Sequence, residues 1–313
     1  MMNTNDTPKT LLEAIKFFDN YENCKRYMMK VRWPDGVVRC PECNSDHVTY
    51  LENARVWKCY AGHPRPKFSL KVGTIFEDSS LPLQKWLPAV WMLANCKNGI
   101  SSYELHRALG VTQKSAWFML HRIRKAMQSG SFMKLDGEVE VDETFIGGKA
   151  RNMHKEKRDA AISGTGGKDK TAAMGFLERG GPVTATVIAD RKKRTLQGLV
   201  KSHVKAGAAL YTDALASYDG LDGEFFHKVV DHAVEYVNGN AHTNGLENFW
   251  SLLKRSLKGT YVSVAPFHLF RYLDEQSFRY NQRKTDDFAR FVAVLATVVN
   301  RRLTYTKLIG ATV

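Results

Sequence analysis

The stretch EVEVDETFIGGK, residues 138–149, decides how the second half of the chain is read. Val139 and Val141 alternate with Glu138, Glu140 and Asp142, so the repeat is two residues and the segment is a β-strand. Thr144, Phe145 and Ile146 follow, with the branched and aromatic side chains that strands favour, and Gly147 and Gly148 end the run. A surface strand accounts for acids on one face. It does not account for an aspartate whose strand continues, after Glu143, into residues suited to a core. Asp142 is therefore a candidate functional carboxylate.

The strand opens an α/β pattern. Further strands are expected at 171–178, 182–190, 208–213 and 225–231. A helix is expected at 194–204, between the third and fourth strands, and an amphipathic helix at about 244–258; helical patterns resume over 266–301. This order is that of an RNase H-like α/β domain, assigned to residues 138–285. Residues 149–170 are basic, glycine-rich and aperiodic, and are expected to form a loop whose charge suits a phosphate backbone.

Within that frame a second acid, Asp213, closes the fourth strand in YTDALASY, and a third, Glu247, lies in the first turn of the helix in HTNGLENFWSLLKR. Carboxylates on two adjacent strands and a flanking helix can converge on two Mg²⁺ ions, which activate a water or a 3′-hydroxyl and stabilise the leaving oxygen of a phosphoryl transfer. Two other roles stay open: Asp213 as a helix cap at a strand end, and Glu247 as the partner of an Asn244 cap. Glu140 and Glu143 are weaker substitutes for Asp142, as solvated or outer acids. Leu246, Phe249, Trp250, Leu253 and Leu257 form the apolar stripe of the helix. Glu247, Ser251, Lys254 and Lys258 stand on one flank, where Lys254 can meet an entering phosphate.

The N-terminal half reads differently. Residues 1–36 are expected to carry one or two short amphipathic helices. In 37–80, Cys40 and Cys43 form a Cys-x-x-Cys knuckle, and Cys59 with His63 supplies a second ligand pair among short β-rich runs. Thiolate and imidazole at this spacing predict one structural Zn²⁺. Cys24 and Cys96 have no partner at ligand spacing and read as small buried side chains. Residues 81–130 carry two helices joined at Gly110, with Ser102 and Thr112 as caps and Ala116, Leu120 and Ile123 facing inward. This is the helix-turn-helix pattern, which would present Lys114, Trp117, His121 and Lys125 to DNA. Residues 286–313 are set apart as a C-terminal helical segment.

Composition narrows the class. The chain has 313 residues, a formal net charge of +14 and 43% hydrophobic residues, enough for packed cores in two or three domains. So basic a protein is expected to meet a polyanion, and the helix-turn-helix pattern points to double-stranded DNA as that partner. Five cysteines make no disulfide framework. The N-terminal residues lack a signal-peptide pattern and the longest apolar run is too short for a bilayer, so a cytoplasmic, nucleoid-associated protein is expected.

The segments CPEC, KCYAGHPRPKFSLKVGTIFEDSSLPLQKW, VEVDETFIGGK, YTDALASYDGL and HTNGLENFWSLLKRSLKGTYVSV occur in order, followed by RYLDEQSFRYNQR. Together they resemble bacterial insertion-sequence transposases of the DDE class, the group with an amino-terminal zinc ribbon and an ISXO-like catalytic domain, over roughly residues 10–285. The resemblance implies that Asp142 and Asp213 are the first two catalytic acids. The third position varies between glutamate and asparagine in this group, and the sequence offers both Glu247 and Asn244. It further implies Mg²⁺-dependent excision and strand transfer of an element flanked by inverted repeats, by at least a dimer on DNA. A non-enzymatic DNA-binding regulator and a nuclease that cuts without joining are the rival functions.

Overall fold

The computed structural model describes residues 7–128, 133–147, 155–156, 170–230 and 243–310. The basic loop expected at 149–170 lies almost wholly outside the described residues. The chain divides into two compact units, residues 128–283 and residues 1–127 with 284–313. Among the described residues no helix is long and apolar enough to cross a membrane.

The unit of residues 128–283 is built on a five-stranded sheet. Its strands are β4 (Glu138–Ile146), β5 (Thr171–Glu178), β6 (Val183–Ile188), β7 (Ala209–Asp213) and β8 (Phe226–Val230), in the spatial order β6-β5-β4-β7-β8. β4, β5 and β6 form an antiparallel meander, whereas β7 and β8 join parallel to β4 and to each other. Antiparallel neighbours need only tight turns, while the parallel step from β6 to β7 needs a crossover, and helix α6 (Lys193–His203) supplies it.

The alternation of β4 sends Val139 and Val141 to one face, into a core with Met174, Phe176, Leu196, Val200, Leu210 and Tyr218. The opposite face is covered by α7 (Asn244–Ser256) and α8 (Leu269–Asn281), through Leu246, Phe249, Trp250, Leu253 and Leu273. The apolar stripe expected from the sequence is therefore the buried face of α7. Its last turn widens into a π-helical segment, Leu257–Tyr261, and exposed Lys258 lies there rather than on the α-helix.

In the other unit, helices α1 (Leu11–Asp19) and α2 (Tyr21–Arg32) precede a small antiparallel sheet of β1 (Val48–Leu51), β2 (Val56–Cys59) and β3 (Lys67–Phe68). Buried Trp57 of β2 is its centre, with ring centroids 4.6 Å from Tyr50, 5.7 Å from Trp33 and 6.0 Å from Phe68. Helices α3 (Leu83–Asn95), α4 (Ser102–Leu109) and α5 (Gln113–Met127) follow. α4 is capped by Ser101, one residue earlier than expected, because Ser101 and Glu104 form a reciprocal capping box. Gly110 then takes a left-handed conformation, φ 61°, that stops α4 and lets α5 begin after Thr112.

The face of α5 expected to meet DNA is largely covered by the C-terminal segment. α9 (Asp287–Leu295) packs on α3, and the chain then returns along α5 to the short helix α10 (Tyr305–Ile309). Lys125 Nζ donates to the Arg302 carbonyl at 2.9 Å, and Thr297 Oγ1 donates to the Ala126 carbonyl. His121 is completely buried and its ring packs tilted against Trp117, ring centroids 4.4 Å apart. Of Lys114, Trp117, His121 and Lys125, only Lys114 is exposed, beside the Tyr305 ring. His121 and Lys125 are thus packing groups of this unit, not a free basic face. A helical wheel for α5 alone does not reveal the segment that covers it.

Candidate active site and metal centres

The acids of the unit of residues 128–283 meet where parallel strands part. β4 and β7 pair from Glu138–Ala209 to Glu140–Tyr211, and the pairing stops there. Asp142 and Asp213 each lie two residues beyond the last pair, Asp142 in the middle of β4 and Asp213 at the carboxyl end of β7. The gap admits side chains from both faces. Asp142 lies on the α7 face and receives the Trp250 indole N–H, Nε1 to Oδ2 3.1 Å. Glu143, its neighbour, comes from the other face and accepts the hydroxyl of buried Tyr218. Asp213 accepts the Leu215 backbone N–H at 3.2 Å. One ligand oxygen from each of Asp142, Glu143 and Asp213 lies within 4.8 Å of the others.

Three carboxylates this close repel one another unless a proton or a cation joins them. Burial first, then the charge of Asp213, pushes the Asp142 carboxyl up to about 6; Glu247 adds to the rise and the Trp250 hydrogen bond opposes it. Burial first, then Asp213 and Asp142, pushes Glu143 up to about 8 against the pull of Arg191. Hard oxygen donors in this number suit a divalent cation such as Mg²⁺ or Mn²⁺ that keeps several waters.

The structure brings Asp142 and Asp213 together and completes the cluster with Glu143, not with Glu247. Glu247 is exposed on α7, one turn before Trp250, near enough for its charge to act on Asp142. Asn244 is exposed and is the first residue of α7; Thr243 precedes the helix and makes no side-chain cap. Asn244 is therefore not the helix cap. The cap comes from the sheet: the Leu246 N–H donates to Glu140 Oε2 at 3.0 Å. Lys254 is exposed on α7, two turns beyond Glu247. The sequence offered Glu143 only as a weaker substitute for Asp142, whereas the structure gathers it beside Asp142 as a further member of the cluster. The usable signal was the Asp-Glu pair within β4, where a departing neighbour strand lets consecutive side chains converge.

The second cluster is thiolate and imidazole. Cys40 Sγ lies 3.3 Å from His63 Nε2, and Cys43 Sγ lies 3.6 Å from Cys59 Sγ. The four ligand atoms lie within 4.8 Å of one another. A tetrahedron with Zn–S of about 2.3 Å and Zn–N of about 2.0 Å has edges of roughly 3.6 Å, so the donor set fits Zn²⁺. The Cys59 sulfur also receives the Ala61 N–H at 3.5 Å, and Glu42 stands 3.4 Å from His63 Nδ1, where a carboxylate orients a ligating imidazole. Cys24 is buried and its thiol is pushed up to about 12 by burial; Cys96 is half-buried.

Residues 134–281 match the model of the ISXO2-like transposase domain, and residues 20–63 match the transposase zinc-ribbon domain. The chain is 28% identical over 254 residues to an uncharacterized protein in transposable element ISH50 of Halobacterium salinarum, covering 78% of this chain and 85% of that protein. It is 32% identical over 100 residues to an uncharacterized transposase-like protein of Haemophilus influenzae, covering 32% of this chain and 80% of that protein. With its acid cluster inside the first matched region and its ribbon ligands at the end of the second, the chain belongs to the ISXO2-like transposases of insertion elements that carry a transposase zinc ribbon.

Proposed function

We propose that the protein is a DNA transposase that cleaves the phosphodiester at element ends and joins the freed 3′-hydroxyl to target DNA. The observation that carries this reading is the convergence of Asp142, Glu143 and Asp213 where β4 and β7 part. The sheet order and the crossover support an RNase H-like assignment for residues 138–285. Two Mg²⁺ ions held there would supply Lewis acidity to the attacking and leaving oxygens of an in-line displacement.

Asp142 and Asp213 are the principal holding groups. Trp250 fixes one oxygen of Asp142, and the Leu215 N–H fixes one of Asp213. Glu143 closes the Tyr218 side, and Glu247 faces Asp142 from α7. Lys254 and Lys258 stand exposed at and beyond the end of α7, where they can contact phosphates. The zinc ribbon and helices α4 and α5 would read element ends as a DNA-binding module, on a surface other than the covered His121 face. Two copies would hold two ends, and the work would take place at the nucleoid.

A regulator without chemistry would have no use for three crowded carboxylates. Incubating the protein with labelled DNA bearing candidate terminal repeats and Mg²⁺ tests the proposal. Nicked and joined products are expected; nicks without joining would leave a nuclease, and neither product would leave the regulator.

A further inference from the structure

We propose that Glu140 is a positioning residue of the acidic site: its buried carboxylate clamps the first turn of α7 to β4 and so sets Trp250 and Glu247 over Asp142. The first turn of any helix presents N–H groups with no partner inside the helix. In α7 the residue before the helix, Thr243, offers no side-chain cap. An acceptor comes instead from a strand 106 positions away, Glu140 Oε2, 3.0 Å from the Leu246 nitrogen. A carboxylate also suits the positive end of the helix dipole.

Glu140 is only 1% exposed, so its charge must be matched. Arg179 Nε donates to Oε1 at 3.1 Å. The same guanidinium reaches Glu138 and lies 3.9 Å from the centre of the Tyr211 ring, whose hydroxyl donates to Glu138 at 2.9 Å. The clamp is thus anchored where β4 and β7 are still paired, just before they part around the acids.

Glu140 and Asp142 lie on one face of β4, two residues apart, and contact Leu246 and Trp250, four residues apart on α7. Two strand residues advance about 6.6 Å and four helix residues about 6 Å, so the two polar contacts match in spacing. Packing leaves little slack. A Cβ on Gly245 would lie 2.8 Å from Glu140 Oε2 and 2.3 Å from Leu177 Cδ2; a Cβ on Gly175 would lie 2.7 Å from the Trp250 ring. Glycine at both positions lets helix and sheet approach this closely. Glu247, the residue after Leu246, is carried between the two contacts.

The test compares Glu140→Gln, Glu140→Ala and Gly245→Ala in the full chain. Glutamine keeps an oxygen for the Leu246 N–H but loses the ion pair; alanine loses both. The indole ¹⁵N–¹H resonance of Trp250, assigned with Trp250→Phe, reports the contact with Asp142 without any need for activity. Glu140→Ala and Gly245→Ala should move that resonance toward its position in Asp142→Ala. The cleavage rate at saturating DNA should fall about 10- to 100-fold with DNA affinity unchanged, as for other groups that orient a metal site. Glu140→Gln should keep the resonance and most of the rate even where its melting temperature drops. An unmoved resonance in Gly245→Ala and in any folded Glu140→Ala would overturn the proposal. So would rate losses that follow melting temperature across all three variants. The cleavage arm rests on the transposase reading: wild-type protein inert on DNA with Mg²⁺ would sink that reading, while the resonance would still decide the role of Glu140.

Discussion

The ribbon cluster and the acid cluster each gather ligand atoms within 4.8 Å, by opposite routes. Cys40, Cys43, Cys59 and His63 come from two local knuckles beside β1 to β3, and four protein ligands fill a tetrahedral shell. Asp142, Glu143 and Asp213 meet only because β7 pairs parallel with β4 and then leaves it. Three acids do not complete the shell of a hard cation, so water and substrate oxygens have room. A closed site built from local sequence suits structure; an open site built by topology suits chemistry.

That contrast can be broken at the ribbon first, where the largest effect is expected. Structural zinc contributes on the order of 10 kcal/mol to the folding of small ribbons. Cys43→Ser, or a strong chelator, should remove one zinc per chain and unfold the ribbon, seen as lost metal in elemental analysis and lost Trp57 burial in fluorescence. Protein purified without chelators that holds no zinc and melts unchanged would make the two clusters alike after all.

At the acid cluster, Glu143→Gln should weaken Mn²⁺ binding, followed by titration of the ion, by about 10- to 100-fold. Glu247→Gln should slow DNA cleavage more than it weakens the ion in the absence of DNA, because Glu247 is exposed on α7 and outside the tight cluster. The reverse ranking would put Glu247 inside the cluster and Glu143 outside it.

The clusters should also differ with pH. Asp142 and Glu143 rise in the folded protein from ordinary values of 3.8 and 4.5 to about 6 and about 8. The folded state then binds more protons than the unfolded state between these limits, so stability falls as pH rises. Their favourable contribution is fully present below the ordinary values and is lost as pH passes about 6 and then about 8. Metal-free at the acidic site, the unit of residues 128–283 should melt progressively lower from about pH 4 to about pH 8, and Mg²⁺ should restore stability at the upper end. Asp142→Asn with Glu143→Gln should flatten the profile; an equally steep profile in that double variant would remove the acids as its cause.

The smallest effect belongs to Asn244. A lost side-chain cap costs about 1 kcal/mol, whereas an exposed first-turn residue without that role costs under about 0.5 kcal/mol. Chemical denaturation of Asn244→Ala distinguishes the two.

The sequence carried the local features well. Val139 and Val141 marked β4 and its buried face, and Leu246, Phe249, Trp250 and Leu253 marked the packing stripe of α7. The ribbon ligands followed from their spacing. Features set by distant chain were hidden. His121 is buried, and Lys125 on the same helix is tied to the returning C-terminal segment at Arg302; no periodicity within α5 records either. Asn244 resembled a cap because the true acceptor, Glu140, lies on β4, 106 positions before Leu246. Glu143 joined the site only through the splay of two strands.

The most direct measurement of the central claim is cleavage of labelled terminal-repeat DNA by Asp142→Asn beside the wild-type protein, with DNA binding followed in the same samples. Asparagine keeps the size and the Trp250 contact but removes the charge that holds the cation. The acid cluster as the seat of phosphoryl transfer predicts cleavage reduced about a thousandfold or more with binding retained or tightened. Cleavage by Asp142→Asn at a rate near wild type would contradict it.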